Sequence, residues 1–146
     1  MEKGKLRSYV CDFPTEKLLG VPHVVCVPHL GASTPESEDN CVCMIARQIE
    51  DYLRQGKIFH SVNYPDVDPG RVTSPRLVIL HQNVPNVVNA ITGRLSAQNI
   101  NINNMLNKSR GQFACTLLDL DEQPGEAILT EIDALETVYR VRLLMP

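Results

Sequence analysis

The apolar positions of this chain follow two rhythms, and each predicts a different kind of element. The short apolar runs "LRSYVCDF" and "VPHVVCVP" in the first third are typical of strands. After "STPESEDN", apolar residues recur at three- and four-residue steps, which predicts a helix over about residues 35–55 with one buried face. The apolar positions of that helix are Val42, Ile45, Ala46, Ile49, Tyr52 and Leu53.

Both ends of this helix carry residues that favour a helix boundary. Ser33 or Thr34 can cap the first turn, where Pro35 fits because the missing N–H would have no partner there. Gly56 can end the helix because glycine readily adopts the left-handed backbone that follows a last turn.

The segment "DVDPGRVTSP" combines two prolines and a glycine with no apolar periodicity. This composition is typical of a linker and predicts a connection over residues 66–75. The chain is therefore predicted to consist of two parts, residues 1–65 and residues 76–146.

From Arg76 onward the pattern becomes regular. The runs "RLVILHQ", "ININ" with "MLNK", "QFACTLLDL" and "VYRVRLL" predict four strands, and stripes around Ile91 and Ile132 predict two helices. The order β-α-β-β-α-β predicts a ferredoxin-like sandwich, an α+β fold with an antiparallel sheet and both helices on one face. One copy leaves a sheet face and an edge uncovered, so we expect self-association.

The composition is that of an ordinary globular protein. Of the 146 residues, 43% are hydrophobic and 21% are charged, with a formal net charge of -3 at pH 7. This balance offers no basic field to attract nucleic acid or an anionic membrane. No apolar run approaches the roughly 20 residues that cross a bilayer, and "MEKGKLRSYV" lacks the apolar centre of a signal peptide. We therefore expect a cytoplasmic protein.

The five cysteines are odd in number and mostly lie inside apolar runs. This placement predicts reduced core residues rather than a disulfide framework. Cys41 and Cys43 form a C-x-C, but side chains two residues apart on a helix point about 200° away from each other. We therefore expect no metal site.

Two short stretches of the first part carry a family resemblance. "PHLGAST", residues 28–34, resembles the catalytic-histidine segment of the D-2-hydroxyacid dehydrogenases. "DFPTE", residues 12–16, is similar to their "DVFPTE" with one residue missing. The resemblance implies that residues 1–65 are a strand-and-helix fragment of an α/β, Rossmann-like domain whose parent enzyme uses NAD.

Within this resemblance, His29 matches the general base of the family and Glu16 matches its carboxylate partner. An imidazole titrates near working pH and can take the hydroxyl proton during hydride transfer. A carboxylate on the far ring nitrogen fixes the tautomer and stabilises the imidazolium. The resemblance also implies that Asp12 and Gly31 lie beside the nicotinamide. From spacing alone, the interpretation of His29 as a turn residue between a strand and a helix is favoured over a catalytic role.

Two features of such a dehydrogenase are missing from the sequence. One is the G-x-G-x-x-G fingerprint that binds the dinucleotide, and the other is the arginine that holds the substrate carboxylate. The resemblance therefore implies a C-terminal fragment, which we expect to bind no NAD and to be inactive alone, because the hydride has no acceptor.

A second resemblance lies in "HQNVPNVVNAITGRLSAQNINI", which is similar to the first half of an ACT domain, a small amino-acid-sensing module. In that family the effector binds between two copies, at the turn after the first strand. The resemblance implies that His81, Asn83 and Asn101 contact an effector such as L-serine. Side-chain amides suit the ammonium and hydroxyl groups of such a ligand, and a helix start suits its carboxylate.

This second stretch departs from the family at Asn86, where a glycine is expected. A side chain there would crowd the approach of the effector carboxylate to the backbone. Without the resemblance, Asn83 would be interpreted as a helix cap and Asn101 as a turn residue.

These observations favour the regulatory end of an NAD-dependent dehydrogenase of L-serine biosynthesis, with an ACT domain for dimerisation and effector binding. The alternative is a stand-alone ACT module for amino-acid binding or oligomerisation, without enzyme activity. A third reading is one subunit of a split enzyme whose partner carries the nucleotide domain.

Overall fold

A computed structural model describes Gly4 and residues 6–146 of the chain. The chain divides into two compact units, Met1–Met44 and Ile45–Pro146. In chain order, the elements are β1 (Tyr9–Cys11), a short 3-10 helix (Glu16–Leu18), β2 (Val24–Cys26), α1 (Pro35–Gln55), β3 (Arg76–Gln82), α2 (Val87–Ala97), β4 (Ile102–Arg110), β5 (Phe113–Leu120), α3 (Glu126–Asp133) and β6 (Val138–Leu144).

The first unit contains one pair of short strands. Strands β1 and β2 run parallel, with Tyr9 opposite Val24 and Cys11 opposite Cys26. Parallel strands need a connection that returns to the same end, and here the 3-10 helix and its flanking loops provide it. This parallel pair, followed by α1, is the strand-and-helix fragment that the sequence predicted.

Helix α1 has the predicted length, but the prediction of a buried face is wrong. No residue of α1 is buried, and Val42, Ile45 and Ile49 are between 53% and 69% exposed. Apolar periodicity indicates that a face is suited to burial, but it does not supply the surface that covers it.

The second unit is built on a four-stranded sheet with the order β4-β5-β3-β6, in which every neighbouring pair is antiparallel. The first and third strands of the motif lie at the centre and the second and fourth at the edges. This arrangement confirms the predicted ferredoxin-like α+β fold.

Both helices of the motif pack on one face of this sheet. Alternate residues of the central strands, such as Leu77 and Leu118, meet Ile91 of α2 and Ile132 of α3, and all four are fully buried. The remaining buried members of this cluster are Ile79, Val87, Leu95, Ile100, Leu120, Ile128 and Val138.

The opposite face of the sheet is covered by the segment between α1 and β3, so the unit has a second core. Ile58 and Val67 exchange backbone hydrogen bonds of 2.9 and 2.8 Å and pack against the sheet residues Val78 and Leu117. Val67 is fully buried although it lies in the predicted linker, residues 66–75. That segment therefore belongs to the same compact unit as the sheet.

The entry into this covering segment requires glycine. Gly56 has a φ of +74°, and a Cβ at this position would collide with the Val78 side chain. The residue predicted to end α1 therefore also allows the chain to approach the sheet closely.

Arg76 fastens the covering segment to the start of β3. Arg76 is 1% exposed, and its guanidinium pairs with the carboxylate of Asp119 in β5, at 2.5 Å from Nε and 3.0 Å from Nη2. It also donates to the carbonyl oxygens of Gln55, Pro69, Gly70 and Arg71 at 2.8–3.3 Å. A buried charge is tolerable only when its donors are satisfied in this way.

The cysteines are all free, as predicted, but only Cys115 is a core residue. Burial raises the pKa of the Cys115 thiol to about 12, so it stays protonated. Three others are exposed. Cys26 ends β2 and Cys41 and Cys43 lie in α1, and neither element has a buried residue.

Among the described residues, no helix has the length and apolarity to span a membrane, and no cluster of potential ligands could hold a metal ion.

Candidate functional site

The first candidate site is formed by the loops that follow β1 and β2. Because the two strands are parallel, their carboxyl ends lie at the same edge, and the residues after them converge there. Asp12 directly follows β1, and His29 lies three residues beyond β2. The Asp12 Oδ2 atom lies 2.7 Å from the Nδ1 atom of His29, and the Phe13 ring packs against the imidazole at 4.6 Å between centroids.

This pairing determines which ring nitrogen of His29 can do chemistry. A carboxylate only accepts hydrogen bonds, so Nδ1 carries the proton and a neutral imidazole keeps Nε2 as its basic atom. The hydrogen bond from His29 lowers the pKa of Asp12, with further contributions from its own backbone N–H and the charge of His29. The pair can therefore present a base oriented by an ionised carboxylate, although both side chains are about half exposed.

The predicted partner, Glu16, lies in the 3-10 helix, while the carboxylate that accepts the hydrogen bond from Nδ1 of His29 is that of Asp12. The structure thus gives Asp12 the geometric position that the sequence resemblance assigned to Glu16. The catalytic assignments of His29 and Glu16 stay predictions.

Asp12 and Gly31 are also the residues predicted to lie beside a nicotinamide. The Asp12 carboxylate is already engaged by His29, and Gly31 lies in an exposed loop where an added Cβ would meet no atom within 4 Å. Neither residue forms part of a cradle shaped for a dinucleotide.

The second candidate site is the turn between β3 and α2, where effector binding is predicted. Asn83 donates from Nδ2 to the carbonyl of Gly111 at 2.9 Å, and its backbone N–H donates to the carbonyl of Gln112 at 2.9 Å. The turn is therefore fixed to the β4–β5 hairpin. Asn83 is not the cap of α2, since the residue at that position is Asn86.

His81, two residues earlier, is buried at 2% exposure with both ring nitrogens engaged. Nδ1 donates to the carbonyl of Gln82 at 2.8 Å, and Nε2 lies 2.7 Å from the hydroxyl of Thr116. Thr116 in turn lies 2.9 Å from Oδ1 of Asn107 on the edge strand β4. Burial lowers the pKa of His81, so the neutral imidazole is favoured.

This geometry gives His81 a different position from the one that the resemblance implied. Its ring nitrogens support the backbone of the turn and cross-link three strands, and neither is directed to solvent. A contact between His81 and an effector stays a prediction that requires one of these bonds to be exchanged.

Asn86, where the resemblance predicts a glycine, has a backbone conformation that glycine adopts readily. Its φ of 69° lies in the left-handed region, which asparagine tolerates better than most residues. Its side chain makes no capping hydrogen bond to α2. Asn86 therefore places a side-chain amide at the start of the helix.

Asn101 lies at the start of β4, where Asp121 holds it. The N–H of Asn101 donates to Oδ1 of Asp121 at 2.9 Å, and the N–H of Asp121 donates to the carbonyl of Asn101 at 3.1 Å. The side chain lines a cavity of about 400 Å³ with residues of α2, including Thr92 and Ser96. In the described part of the chain, no hydrogen bond joins Asn101 to His81 or Asn83.

Sequence reasoning missed the polar residues that support both the turn and the sheet. Thr116 and Asp119 occur in the apolar run "QFACTLLDL", where a buried polar residue requires a partner. Arg76 begins an equally apolar run. Their presence inside buried strands is a signal that could have indicated the Arg76–Asp119 and His81–Thr116 pairs.

No protein-family model matches the chain. The chain is 28% identical over 138 residues to D-3-phosphoglycerate dehydrogenase 1 of Saccharomyces cerevisiae, an alignment that covers 89% of this chain and 29% of that protein. It is 26% identical over 156 residues to D-3-phosphoglycerate dehydrogenase of Haemophilus influenzae, covering 99% of this chain and 38% of that protein. The chain thus spans about a third of the length of the curated relatives that it matches.

Among solved structures, the ACT domain from GTP pyrophosphokinase of Chlorobium tepidum has a TM-score of 0.42 at 16% identity. It aligns with 48% of this chain over 95% of its own length. The sequence relatives confirm the resemblance to a dehydrogenase. More specifically, the chain is similar over most of its length to D-3-phosphoglycerate dehydrogenases.

Proposed function

We propose that this chain is the C-terminal, regulatory part of an NAD-dependent D-3-phosphoglycerate dehydrogenase, in which residues 76–146 act as an ACT domain. Two copies would pair through this domain and bind a small amino acid, L-serine in the first instance, near the β3–α2 turn. The similarity to D-3-phosphoglycerate dehydrogenases supports the proposed identity of the parent enzyme. The structure of the β3–α2 turn supports the proposed binding of an amino acid.

The observation that carries the sensing role is the construction of the β3–α2 turn. Asn83 is exposed, yet its backbone and one amide hydrogen are fixed by the β4–β5 hairpin. A fixed amide loses little freedom when a ligand arrives, which favours binding. The buried His81 ring stabilises the end of β3 through its hydrogen bonds to the Gln82 carbonyl and the Thr116 hydroxyl.

Pairing of two copies is supported by the edge strand β4. All but two of its residues are exposed, including Met105 at 50%. An uncovered edge offers a row of backbone donors and acceptors to a second chain. Asn101 lies at one end of this edge, so in a dimer it would come from the other copy, as the resemblance to ACT domains implies.

The part played by residues 1–65 would be to supply the base of the dehydrogenase. In a complete enzyme, His29 would take the proton of the substrate hydroxyl at Nε2, while a carboxylate, Glu16 or Asp12, accepts the hydrogen bond from Nδ1. The chain by itself should therefore show no NAD-dependent oxidation of 3-phosphoglycerate, which a standard absorbance assay with the purified protein would test.

The binding of L-serine can be tested by thermal unfolding of the full chain. At a ligand concentration of a hundred times the dissociation constant, binding to the folded state should stabilise it by about 2.7 kcal/mol per site. Asn83→Ala should remove this ligand-induced shift, because polar groups of the ligand would lose their partner at a cost of about 1–3 kcal/mol.

The matched control for this test is Gln123→Ala, which removes an exposed side-chain amide in the β5–α3 turn and should leave the ligand-induced shift unchanged.

Dimerisation can be tested by light scattering, which should report twice the 16.3 kDa mass of the chain. A dimer without any L-serine shift would favour the alternative, an ACT module used for oligomerisation. A monomer without a shift would oppose both roles.

A further inference from the structure

A second cavity lies on the face of the sheet opposite α2 and α3, beside the covering segment between α1 and β3. It measures about 260 Å³, and all of its lining residues belong to the second compact unit. Ile58 and Leu80 form apolar surfaces of the cavity, with Tyr52, Phe59 and Tyr64 as aromatic walls. Gln48, Lys57 and Ser61 complete the lining.

The walls of this cavity are held by hydrogen bonds of the covering segment. The backbone N–H of His60 donates to Asp66 at 2.9 Å, and the Gln48 side chain bonds the His60 ring at 2.9 Å. Arg110 of β4 donates to the carbonyl of Ser61 at 2.7 Å. The cavity opens to the surface, and these bonds fix its walls before any occupant arrives, which favours binding.

The backbone at the rim is fixed in one conformation. His60 has a φ of 54°, in the left-handed region that histidine adopts more readily than most residues. The two hydrogen bonds on His60 and the Ile58–Val67 bridge hold the loop in this conformation.

The charges around the cavity are already compensated. Lys57 pairs with Asp68 at 2.7 Å, and its ammonium lies 4.6 Å from the centre of the Phe59 ring. Burial, with smaller effects from Tyr139, Cys115 and Tyr52, raises the pKa of Tyr64, so its hydroxyl stays neutral. In the described part of the chain, no buried side-chain polar atom lacks a hydrogen-bond partner.

From these features we propose that the cavity between Tyr52, Tyr64 and Leu80 binds a neutral, planar aromatic compound about the size of indole. An apolar cavity of about 150 Å³ accommodates benzene, so 260 Å³ suits two fused rings. Aromatic walls favour a planar ring, and the absence of an unpaired charge disfavours an ionic ligand. This binding does not depend on the proposed function of residues 76–146 in sensing L-serine.

The test is a titration of the full chain with indole, followed by amide NMR. Saturable shifts are expected at Ser61, Tyr64 and Leu80 at millimolar indole. L-Tryptophan and indole-3-acetate should bind at least about tenfold more weakly, because the ionised groups that each carries would lose hydration beside an apolar surface. Absence of saturable shifts, or equal affinity for the charged analogues, would overturn the proposal.

A pair of tyrosines provides matched variants. Tyr64 and Tyr139 both pack against the ring of Phe113, at 5.5 and 5.9 Å between centroids, but only Tyr64 lines the cavity. Tyr64→Leu should weaken indole binding about three- to tenfold, whereas Tyr139→Leu should not change it. Equal effects of the two variants would contradict binding in this cavity.

A cavity-filling variant gives an independent check. Leu80→Phe enlarges a side chain that lines the cavity and should abolish the indole shifts. If this variant does not fold, the comparison of Tyr64→Leu with Tyr139→Leu still decides the question.

Discussion

The two compact units of this chain have similar fractions of hydrophobic residues but differ in burial. In the described part of the first unit, Gly4 and residues 6–44, no residue is buried. The second unit, Ile45–Pro146, has two clusters of buried residues, one on each face of its sheet. The units differ in whether their apolar faces are covered, because an apolar strand or helix face stabilises the fold only when a second surface covers it.

The functional residues follow the same division. His29 and Asp12 are paired but half exposed, in a unit without a core to hold them. Asn83 and His81 lie on a turn that is fixed by the sheet and its hairpin. We therefore expect the effector turn to be pre-organised in this chain, and the His29 pair to be only loosely positioned.

The largest expected difference is in hydrogen exchange. Amides of β1 and β2, such as Val10 and Val25, should exchange through openings that cost almost no free energy. Amides of the central strands, such as Ile79 and Leu118, should require global unfolding, which typically costs about 5–15 kcal/mol. Mass spectrometry or NMR would measure both sets in one sample. Equal protection of the two units would show that the first is also stably folded.

A matched pair of isoleucines sharpens the comparison. Ile132 in α3 is fully buried, whereas Ile45 in α1 is 53% exposed, and both are helical. Ile132→Ala should lower the free energy of unfolding by about 2–5 kcal/mol, but Ile45→Ala should change it by less than about 0.5 kcal/mol. Urea unfolding followed by circular dichroism would give both values. A large loss for Ile45→Ala would mean that the exposed face of α1 is covered in solution.

The smallest effect concerns the pair of Asp12 and His29. Because the hydrogen bond from His29 lowers the pKa of Asp12 below its ordinary value of 3.8, the pair favours the folded state above that pH. This contribution is lost as the pH falls through the lowered pKa. A carbon-detected NMR titration should find the pKa of Asp12 depressed in the wild type and returned towards 3.8 in His29→Ala. Glu16→Gln is the control and should not move it.

The sequence pattern predicted the second unit well because its strands and helices bury alternating or helically spaced residues. The order of the elements along the chain and the position of both helices on one face were predicted from the segment between "RLVILHQ" and "VYRVRLL". The covering segment could not be predicted in this way. Ile58 and Val67 are single apolar residues between polar ones, and an isolated bridge has no periodicity that would distinguish it from a linker.

The candidate sites were less predictable from the sequence. A resemblance to a family suggests the role of a residue, but it does not show which atoms that residue contacts in this chain. His81 matched an effector-binding position but lies buried against Thr116. Glu16 matched the partner of His29, yet the parallel strands bring Asp12 to that place. The convergence of parallel strand ends could have indicated Asp12 from the sequence, because it follows the first strand directly.

The six hydrogen bonds of Arg76 have a consequence for the order of folding. The guanidinium gains its full set of partners only after β5 has paired with β3, 43 residues apart, and after the loop from Gln55 to Arg71 has closed. Contacts of such sequence separation form late, since the chain loses loop entropy before it gains them. Until then the charge must remain hydrated. Closure of the covering segment and completion of the sheet should therefore occur in one cooperative step, limited by the dehydration of a single side chain.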